Sequence, residues 1–286
     1  MLEKLLHYSL LSLIISSQAG AAAYPQRIAS GTVGADEVLV KLLKGDEQRL
    51  IAVSTFADDP KYSFLKELPK SVKARVGGSV ENLLVLQPDL VILASYTSPE
   101  ITKQLKNAKI NVEIQKAFGS VLDVEHNIRS LGKLIGKDKE AEDTVNEMEK
   151  EIASALAKQP KCGRRPSVLQ YESNDVLPAA DTIFDDVVER AGFHNILRDM
   201  KLSGWVNVSH EILVQQKPDF ILASAADAKN KDELLKKMNA SPAWQTFDAV
   251  KKGRVILVPD RLLYTVSQHV SELVSFVAGE LKCVER

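Results

Sequence analysis

Two segments of this chain, 130 positions apart, follow nearly the same pattern. Each contains a glutamate, Glu81 in the first copy and Glu211 in the second, followed seven residues later by Pro-Asp and then by an apolar run ending in Ala-Ser. A large side chain precedes each glutamate by six residues, Arg75 in the first copy and Trp205 in the second. The spacing is too long for a solenoid repeat. It predicts two similar lobes, each with a short helix, a Pro-Asp turn and a buried strand, and a ligand cleft between them.

The bulk composition is that of a soluble globular protein. Of the 286 residues, 45% are apolar and 26% are charged, and the formal net charge is -1. This length is enough for one large or two ordinary domains. A charge balance so close to zero gives no indication of a nucleic-acid partner or of binding to a membrane surface.

The first residues have a different pattern. Lys4 precedes an apolar stretch over 10–15, and small residues then lead to Ala21-Ala22-Ala23 before Tyr24. This order predicts a secretory signal peptide over 1–23, cleaved near the Ala23-Tyr24 bond. The mature protein would then be soluble and located outside the cytoplasm. The alternative is a buried N-terminal helix, in which the small-residue cluster would have no use.

The chain has two cysteines, Cys162 and Cys283. In an exported protein such a count favours one disulfide. It would close a loop of about 120 residues, for which the chain-entropy model gives roughly 4 to 5 kcal/mol.

Short apolar runs alternate with helical patterns, which predicts an α/β fold with a parallel sheet in each lobe. The predicted strands are 27–30, 50–53, 90–94, 112–114, 167–171, 220–223 and 255–258. The predicted helices are 35–43, 80–86, 99–107, 183–191, 209–215, 232–238 and 266–282. We expect an N-terminal lobe over 24–119 and a C-terminal lobe over 161–286.

Residues 120–160 separate the two lobes. The pattern predicts helices over 121–134, ended by Gly136, and over 138–158, with an apolar stripe along one face. One interpretation is a stiff helical link that limits the lobes to small hinge movements. The other is a pair of ordinary core helices.

The remaining reactive side chains look structural. The histidines at 126, 194, 210 and 269 have no metal-binding or zincin spacing. The paired acids Asp58-Asp59 and Asp185-Asp186 are interpreted as cap and turn residues rather than as acid/base pairs. No nucleophile, base and orienting group come together in the pattern, so we expect neither catalysis nor protein metal ligands.

The order of motifs resembles the periplasmic substrate-binding proteins of ABC importers for ferric siderophores, haem and vitamin B12, the class with a helical backbone between lobes. The similar segments are RIASGTVGADEVLVKLL with Glu37, LIAVSTFADDP, ARVGGSVENLLVLQPDLVILAS, SLGKLIGKDKEAEDTVNEME, FDDVVERAGFHNIL, GWVNVSHEILVQQKPDFILAS and SPAWQTFDAVKKGRVILVP. They cover nearly all of the mature chain.

This resemblance implies roles for the repeated glutamates. In the family, the glutamate of each lobe docks onto arginines of the permease dimer in the inner membrane, and by position these are Glu81 and Glu211. A carboxylate at the start of a short surface helix also suits the helix dipole. A purely local capping role is the alternative.

The resemblance also implies ligand-binding residues. Arg75 and Trp205 would lie at the mouths of the two lobes, and Phe56, Tyr96 and Tyr264 would face the cleft from loops. Core packing is the alternative for each aromatic residue, and an ordinary surface position is the alternative for Arg75.

Arg75 and Tyr96 favour a ferric siderophore, since Arg can donate several hydrogen bonds to the oxygen-rich face of a chelate. Cobalamin comes second, with Trp205 as a flat apolar surface. Haem comes third, because the segment RVGGSVE lacks the tyrosine that usually ligates it. The ligand would bring its metal already chelated, so no separate cofactor is expected.

Two rivals come from other classes. An exported enzyme such as a chelatase would need a histidine, His194 or His269, beside Tyr96. A signalling protein that has lost transport would be expected to lack the two glutamates.

Overall fold

The computed structural model describes residues 24–77, 80–172, 176–225 and 230–284. The predicted signal peptide over 1–23 lies outside these residues. No helix in the described ranges combines the length and apolar character needed to cross a bilayer.

The first lobe is built on a five-stranded parallel sheet of order β3-β2-β1-β4-β5. Its strands are β1 (Ile28–Ser30), β2 (Leu50–Ser54), β3 (Ala74–Val76), β4 (Leu90–Ala94) and β5 (Asn111–Gln115). Its helices are α1 (Val33–Leu42), α2 (Glu81–Leu86) and α3 (Pro99–Asn107). Every residue of β2 and of β4 is buried, as expected for central strands covered on both faces.

Two long helices follow the first sheet, α4 (Val121–Ile135) and α5 (Asp138–Leu156). Ser120 caps α4 by accepting a hydrogen bond from the Asp123 backbone N–H. Gly136, in the left-handed region at φ 73°, ends the helix, which confirms the predicted stop signal.

The second lobe has a four-stranded parallel sheet of order β11-β10-β6-β8 and a two-stranded antiparallel sheet of β7 and β9. The strands are β6 (Ser167–Tyr171), β7 (Val176–Pro178), β8 (His194–Asn195), β9 (Trp205–Asn207), β10 (Phe220–Ser224) and β11 (Val255–Val258). The helices are α6 (Ile183–Arg190), α7 (His210–Gln216), α8 (Lys231–Ala240), α9 (Asp248–Lys251), α10 (Asp260–Leu263) and α11 (Val270–Gly279). Two lobes with parallel sheets confirm the predicted α/β fold.

One hydrophobic core runs through both lobes by way of α4 and α5. The apolar stripe of α5, including Val145 and Met148, is buried, and α5 packs against α4 and α11. The same core cluster contains Ile28 of the first sheet and Val168 of the second. The two helices therefore connect the lobes, as the first interpretation has it, and also pack in the core, as the second has it.

The duplicated segments have the same local structure. Each short helix ends at a residue in the left-handed conformation, Gln87 at φ 47° after α2 and Lys217 at φ 51° after α7. Pro-Asp follows, and then a fully buried strand, β4 or β10. This sequence of elements is the one that the repeat predicts.

The aspartate of each Pro-Asp pair holds the start of the neighbouring strand. Asp89 accepts hydrogen bonds from the backbone N–H groups of Gln26 and Arg27, at 2.7 and 2.9 Å, just before β1. Asp219 accepts the N–H of Ser167, at 2.9 Å, at the start of β6, and pairs with Arg164 through two hydrogen bonds of 2.6 and 2.8 Å. The repeated aspartate is therefore a structural residue in both lobes.

Sequence reasoning missed β3, β7, β8 and β9, which have only two or three residues each. β3, β8 and β9 also include polar side chains, and β7 ends in proline. The predicted helix over 266–282 is shorter in the structure and begins at Val270. The preceding segment forms a turn instead, because Ser267 is fully buried and contacts the first lobe.

Cys162 and Cys283 form a disulfide, with their Cα atoms 5.1 Å apart. The bond joins the start of the second lobe to the segment that follows α11. It closes a loop with a sequence separation of 121 residues.

Candidate ligand-binding cleft

The carboxyl ends of the parallel strands of the two lobes face each other. Lys61, in the loop that follows β2, reaches Asp260, which follows β11, with 3.4 Å between Nζ and Oδ2. A cavity of about 320 Å³ lies at this junction, lined by Pro60, Lys61, Ala225, Pro259, Asp260 and Arg261. In open α/β sheets ligands bind beyond the carboxyl ends of the strands. The edges that meet here are therefore the candidate site.

A buried polar contact joins the lobes beside this cavity. Glu37 of α1 accepts a hydrogen bond from the backbone N–H of Phe64, at 2.8 Å, and another from the hydroxyl of Ser267 in the second lobe. Burial raises the pKa of the Glu37 carboxyl. Gly34, on the same helix, lies so close to Val266 that a Cβ would come within 2.8 Å of Val266 Cγ2. The family-like segment around Glu37 is thus part of the junction between lobes, a role that its position in sequence did not reveal.

Asp36 is also fully buried at the start of α1. It accepts the backbone N–H of Ser54, at 3.0 Å, and the Ser54 hydroxyl, at 2.5 Å, at the end of β2. Burial raises the pKa of Asp36 to about 7, although the hydrogen bonds from Ser54 oppose that shift.

The four aromatic residues predicted to bind ligand all have exposed side chains. Tyr96, two residues after β4, is 74% exposed, and Trp205, at the start of β9, is 55% exposed. Phe56, after β2, and Tyr264, after α10, are also exposed. The alternative of core packing is therefore wrong for these four residues. None of them lines the cavity at the junction, and they lie in strand ends and loops elsewhere in the two lobes.

Two of these aromatic residues have ring neighbours in the same lobe. The Phe56 ring lies 5.4 Å from that of Tyr62, and the Tyr96 ring lies 6.2 Å from that of Phe118. Such pairs hold the exposed rings in place, which reduces the entropy lost when a ligand packs against them.

Tyr264 contacts an acidic residue that the sequence analysis did not select. Its hydroxyl donates to Glu172 Oε1, at 3.0 Å. Glu172 directly follows β6, so it belongs to the carboxyl edge of the second sheet. Only the three-dimensional register could identify it, since 92 residues separate the two partners in sequence.

Arg75, at the edge of the first lobe, forms an ion pair with Asp58. Its guanidinium donates from Nε and Nη2 to the two carboxylate oxygens of Asp58, at 2.5 and 2.8 Å. The Arg75 guanidinium lowers the pKa of the Asp58 carboxyl. Asp58 lies in the turn that follows β2, as the sequence predicts, and Asp59 accepts the Lys61 backbone N–H. The ion pair of Asp58 with Arg75 was not predicted.

The two repeated glutamates lie on the surface, at the starts of their helices. Glu81 is the first residue of α2 and Glu211 the second of α7, and both are exposed. Hydrogen bonds from its own backbone N–H and from Ser209 lower the pKa of Glu211. Apolar side chains beside them, Val85 and Ile212, are exposed as well.

The histidines lie in local contacts. His194 contacts Glu189 and Asp199, at 3.1 and 2.9 Å, and His269 contacts Glu272, at 2.6 Å, while its ring stacks on Phe64. Within the described ranges, no three or more His, Cys, Asp or Glu side chains are grouped so that they could hold a metal ion.

Comparison with known proteins gives a consistent family. The family model described as periplasmic binding protein matches residues 28–262. The Fe(3+)-citrate-binding protein YfmC of Bacillus subtilis is 26% identical over 208 residues, which cover 70% of this chain and 64% of that protein. A cobalamin-binding protein of Halobacterium salinarum is 26% identical over 211 residues, covering 71% of this chain and 54% of that protein. The chain therefore spans less than two thirds of the length of these two relatives.

One solved structure matches this chain over a larger share of both chains. A possible iron-binding (periplasmic solute-binding) protein from Staphylococcus epidermidis superposes with a TM-score of 0.77 at 22% identity, covering 90% of this chain and 98% of the other. At this identity the likeness establishes the fold. Together with the family match over most of the sequence, it shows that this chain belongs to the periplasmic binding protein family.

Proposed function

We propose that this protein is the substrate-binding component of an ABC importer, works outside the cytoplasm, and carries a ferric siderophore in the cleft between its lobes. The observation that carries the proposal is the set of exposed aromatic side chains and Arg75 at the strand ends and loops of the two lobes. Exposed aromatic rings together with an arginine suit a bulky chelate that presents both apolar and oxygen-rich surface. Relatives named for ferric citrate and cobalamin support the ligand class.

Binding would proceed with limited closure of the lobes. The shared core of α4, α5 and α11 and the contacts from Glu37 to Ser267 and from Lys61 to Asp260 resist a wide opening. A hinge movement large enough to separate the lobes would break these hydrogen bonds, each worth about 0.5 to 1.5 kcal/mol net, and would expose part of the shared apolar core to water. The cleft is therefore suited to a preformed ligand of fixed shape.

Delivery would use the two surface helices α2 and α7. Glu81 and Glu211 would pair with arginines of the two halves of a permease dimer, and charge-assisted pairs of this kind are strong and directional. The exposed Val85 and Ile212 would add apolar contact area around each pair.

Cobalamin is the second candidate. The half-exposed indole of Trp205 offers a flat apolar surface to a corrin ring, and one of the relatives is named for this ligand. Haem is the third candidate, because the segment RVGGSVE lacks the tyrosine that usually ligates haem.

Isothermal titration calorimetry of the mature chain, starting at Tyr24, tests the proposal. The ligands are a ferric trihydroxamate, ferric citrate, cyanocobalamin and haemin, each titrated separately. We expect micromolar or tighter binding of at least one iron chelate, and a loss of about tenfold on Trp205→Ala, in keeping with a lost aromatic contact of roughly 1 to 1.5 kcal/mol.

Tyr24→Ala is the matched control, since Tyr24 is 52% exposed but precedes β1, away from the carboxyl ends of the strands. It should leave the affinity unchanged. If none of the four ligands binds, the proposed function fails. Preferred binding of cyanocobalamin would replace the siderophore with the second candidate.

A further inference from the structure

The guanidinium of Arg75 is fixed by three hydrogen bonds within the first lobe. Nε and Nη2 donate to Asp58, and Nη1 donates to the backbone carbonyl of Ala74, at 3.2 Å. A guanidinium has five N–H groups in a planar fork. Three are therefore engaged, and among the described residues one N–H on each terminal nitrogen has no acceptor.

These two remaining N–H groups, one on Nη1 and one on Nη2, can donate to oxygen atoms of a ligand. Asp58 fixes the plane of the fork through a bidentate contact, which holds a guanidinium better than a single hydrogen bond does. The register of the sheet makes this possible, because Arg75 lies beside Val53 of β2 and Asp58 follows that strand. An arginine oriented in this way presents donors in a defined direction before any ligand arrives.

The same contact changes the charge that a ligand meets. The carboxylate of Asp58 lies 2.5 Å from Nε, so that the pair as a whole is neutral. The side chains of Asp58 and Arg75 are partly exposed, and at distances well beyond their own separation the two opposite charges largely cancel. An anionic ligand would gain hydrogen bonds from the Arg75 guanidinium but little net electrostatic attraction from the neutral pair.

We propose that Asp58 is a specificity-determining residue that positions Arg75 and cancels its charge, so that the cleft prefers a neutral ferric chelate with paired oxygen donors to an anionic one. This inference rests on the proposed function and deepens it. A ferric ion bound by three hydroxamates is neutral at its centre and presents paired oxygens, whereas ferric citrate complexes are anionic. The chemistry therefore favours the hydroxamate class.

The test compares the affinity of the parent and of Asp58→Asn for a neutral ferric trihydroxamate and for ferric citrate, by calorimetry at low and at high salt. Asparagine keeps one oxygen that accepts from the guanidinium, but it removes the compensating charge. We expect the parent to bind the trihydroxamate at least tenfold more tightly than ferric citrate. In Asp58→Asn the affinity for ferric citrate should rise about tenfold and become salt-dependent, while that for the trihydroxamate changes less than threefold.

Asp59→Asn is the matched control, because it removes the same charge from the neighbouring residue, whose carboxylate accepts the Lys61 N–H instead. It should leave the ratio of the two affinities unchanged. Tighter binding of ferric citrate by the parent, or an equal shift for Asp58→Asn and Asp59→Asn, would overturn the role of Asp58 without touching the proposed function. If the parent binds neither chelate, the siderophore proposal itself fails.

Discussion

Burial of Asp36 predicts a specific dependence of stability on pH. The pKa of this carboxyl is about 7 in the folded protein and near 3.8 when exposed. The group therefore contributes stability fully below pH 3.8, where both states are protonated. As pH rises the unfolded state loses its proton first, so the contribution declines and is lost once pH passes about 7. The whole difference is roughly 4 kcal/mol, of which about 3 kcal/mol falls between pH 5 and pH 8.

Asp36→Asn isolates this contribution. Its amide oxygen can accept the Ser54 N–H, and its NH₂ group can donate to the Ser54 hydroxyl, so both local hydrogen bonds remain possible. We expect the variant to gain about 3 kcal/mol relative to the parent as pH rises from 5 to 8. Urea unfolding at several pH values, followed through the buried Trp244, gives the two free energies.

Glu67→Gln is the control, because Glu67 is an exposed carboxylate of the same lobe. Its stability difference from the parent should stay nearly constant with pH. If Asp36→Asn and the parent have the same pH dependence, the carboxyl is not protonated in the folded protein at pH 5, and the account of this site is wrong.

Three further predictions concern other contacts. Glu37→Ala leaves the Phe64 N–H and the Ser267 hydroxyl without their acceptor, so it should lower the free energy of urea unfolding by about 2 to 4 kcal/mol. The loss should be larger than for Ser267→Ala, which removes only one hydrogen bond. Equal losses would contradict the bridging role of Glu37. Replacing Cys162 and Cys283 together by serine should lower the free energy of unfolding by up to about 4 kcal/mol, and reduction of the parent should have the same effect. Glu81→Ala combined with Glu211→Ala should preserve ligand affinity and abolish uptake in cells, and normal uptake would remove the docking role.

The fold was predictable where the sequence pattern is local. The apolar composition of β4 and the periodic apolar stripe of α5 predict these two elements, and the repeat predicts two lobes. β3 and β9 were not predictable, because three residues with polar members give no periodic signal. The start of α11 was missed because Ser267 is buried by a contact with Glu37, 230 positions away.

The site was predictable only as a set of residue types. The aromatic residues and Arg75 come from the family pattern, and the structure adds their exposure. The partners Asp58 and Glu172 were missed, because what selects them is the register of neighbouring strands and the return of Tyr264 to the edge of β6. Those relations exist only after the sheets have formed.

The central claim is that the two lobes together hold one chelate. Native mass spectrometry of the mature protein, incubated with an excess of ferric trihydroxamate and desalted, tests it directly. We expect one complex of one chain with one chelate, lost when Arg75→Ala and Trp205→Ala are combined. A parent chain that carries no chelate, or a double variant that carries it as well as the parent does, would contradict the claim.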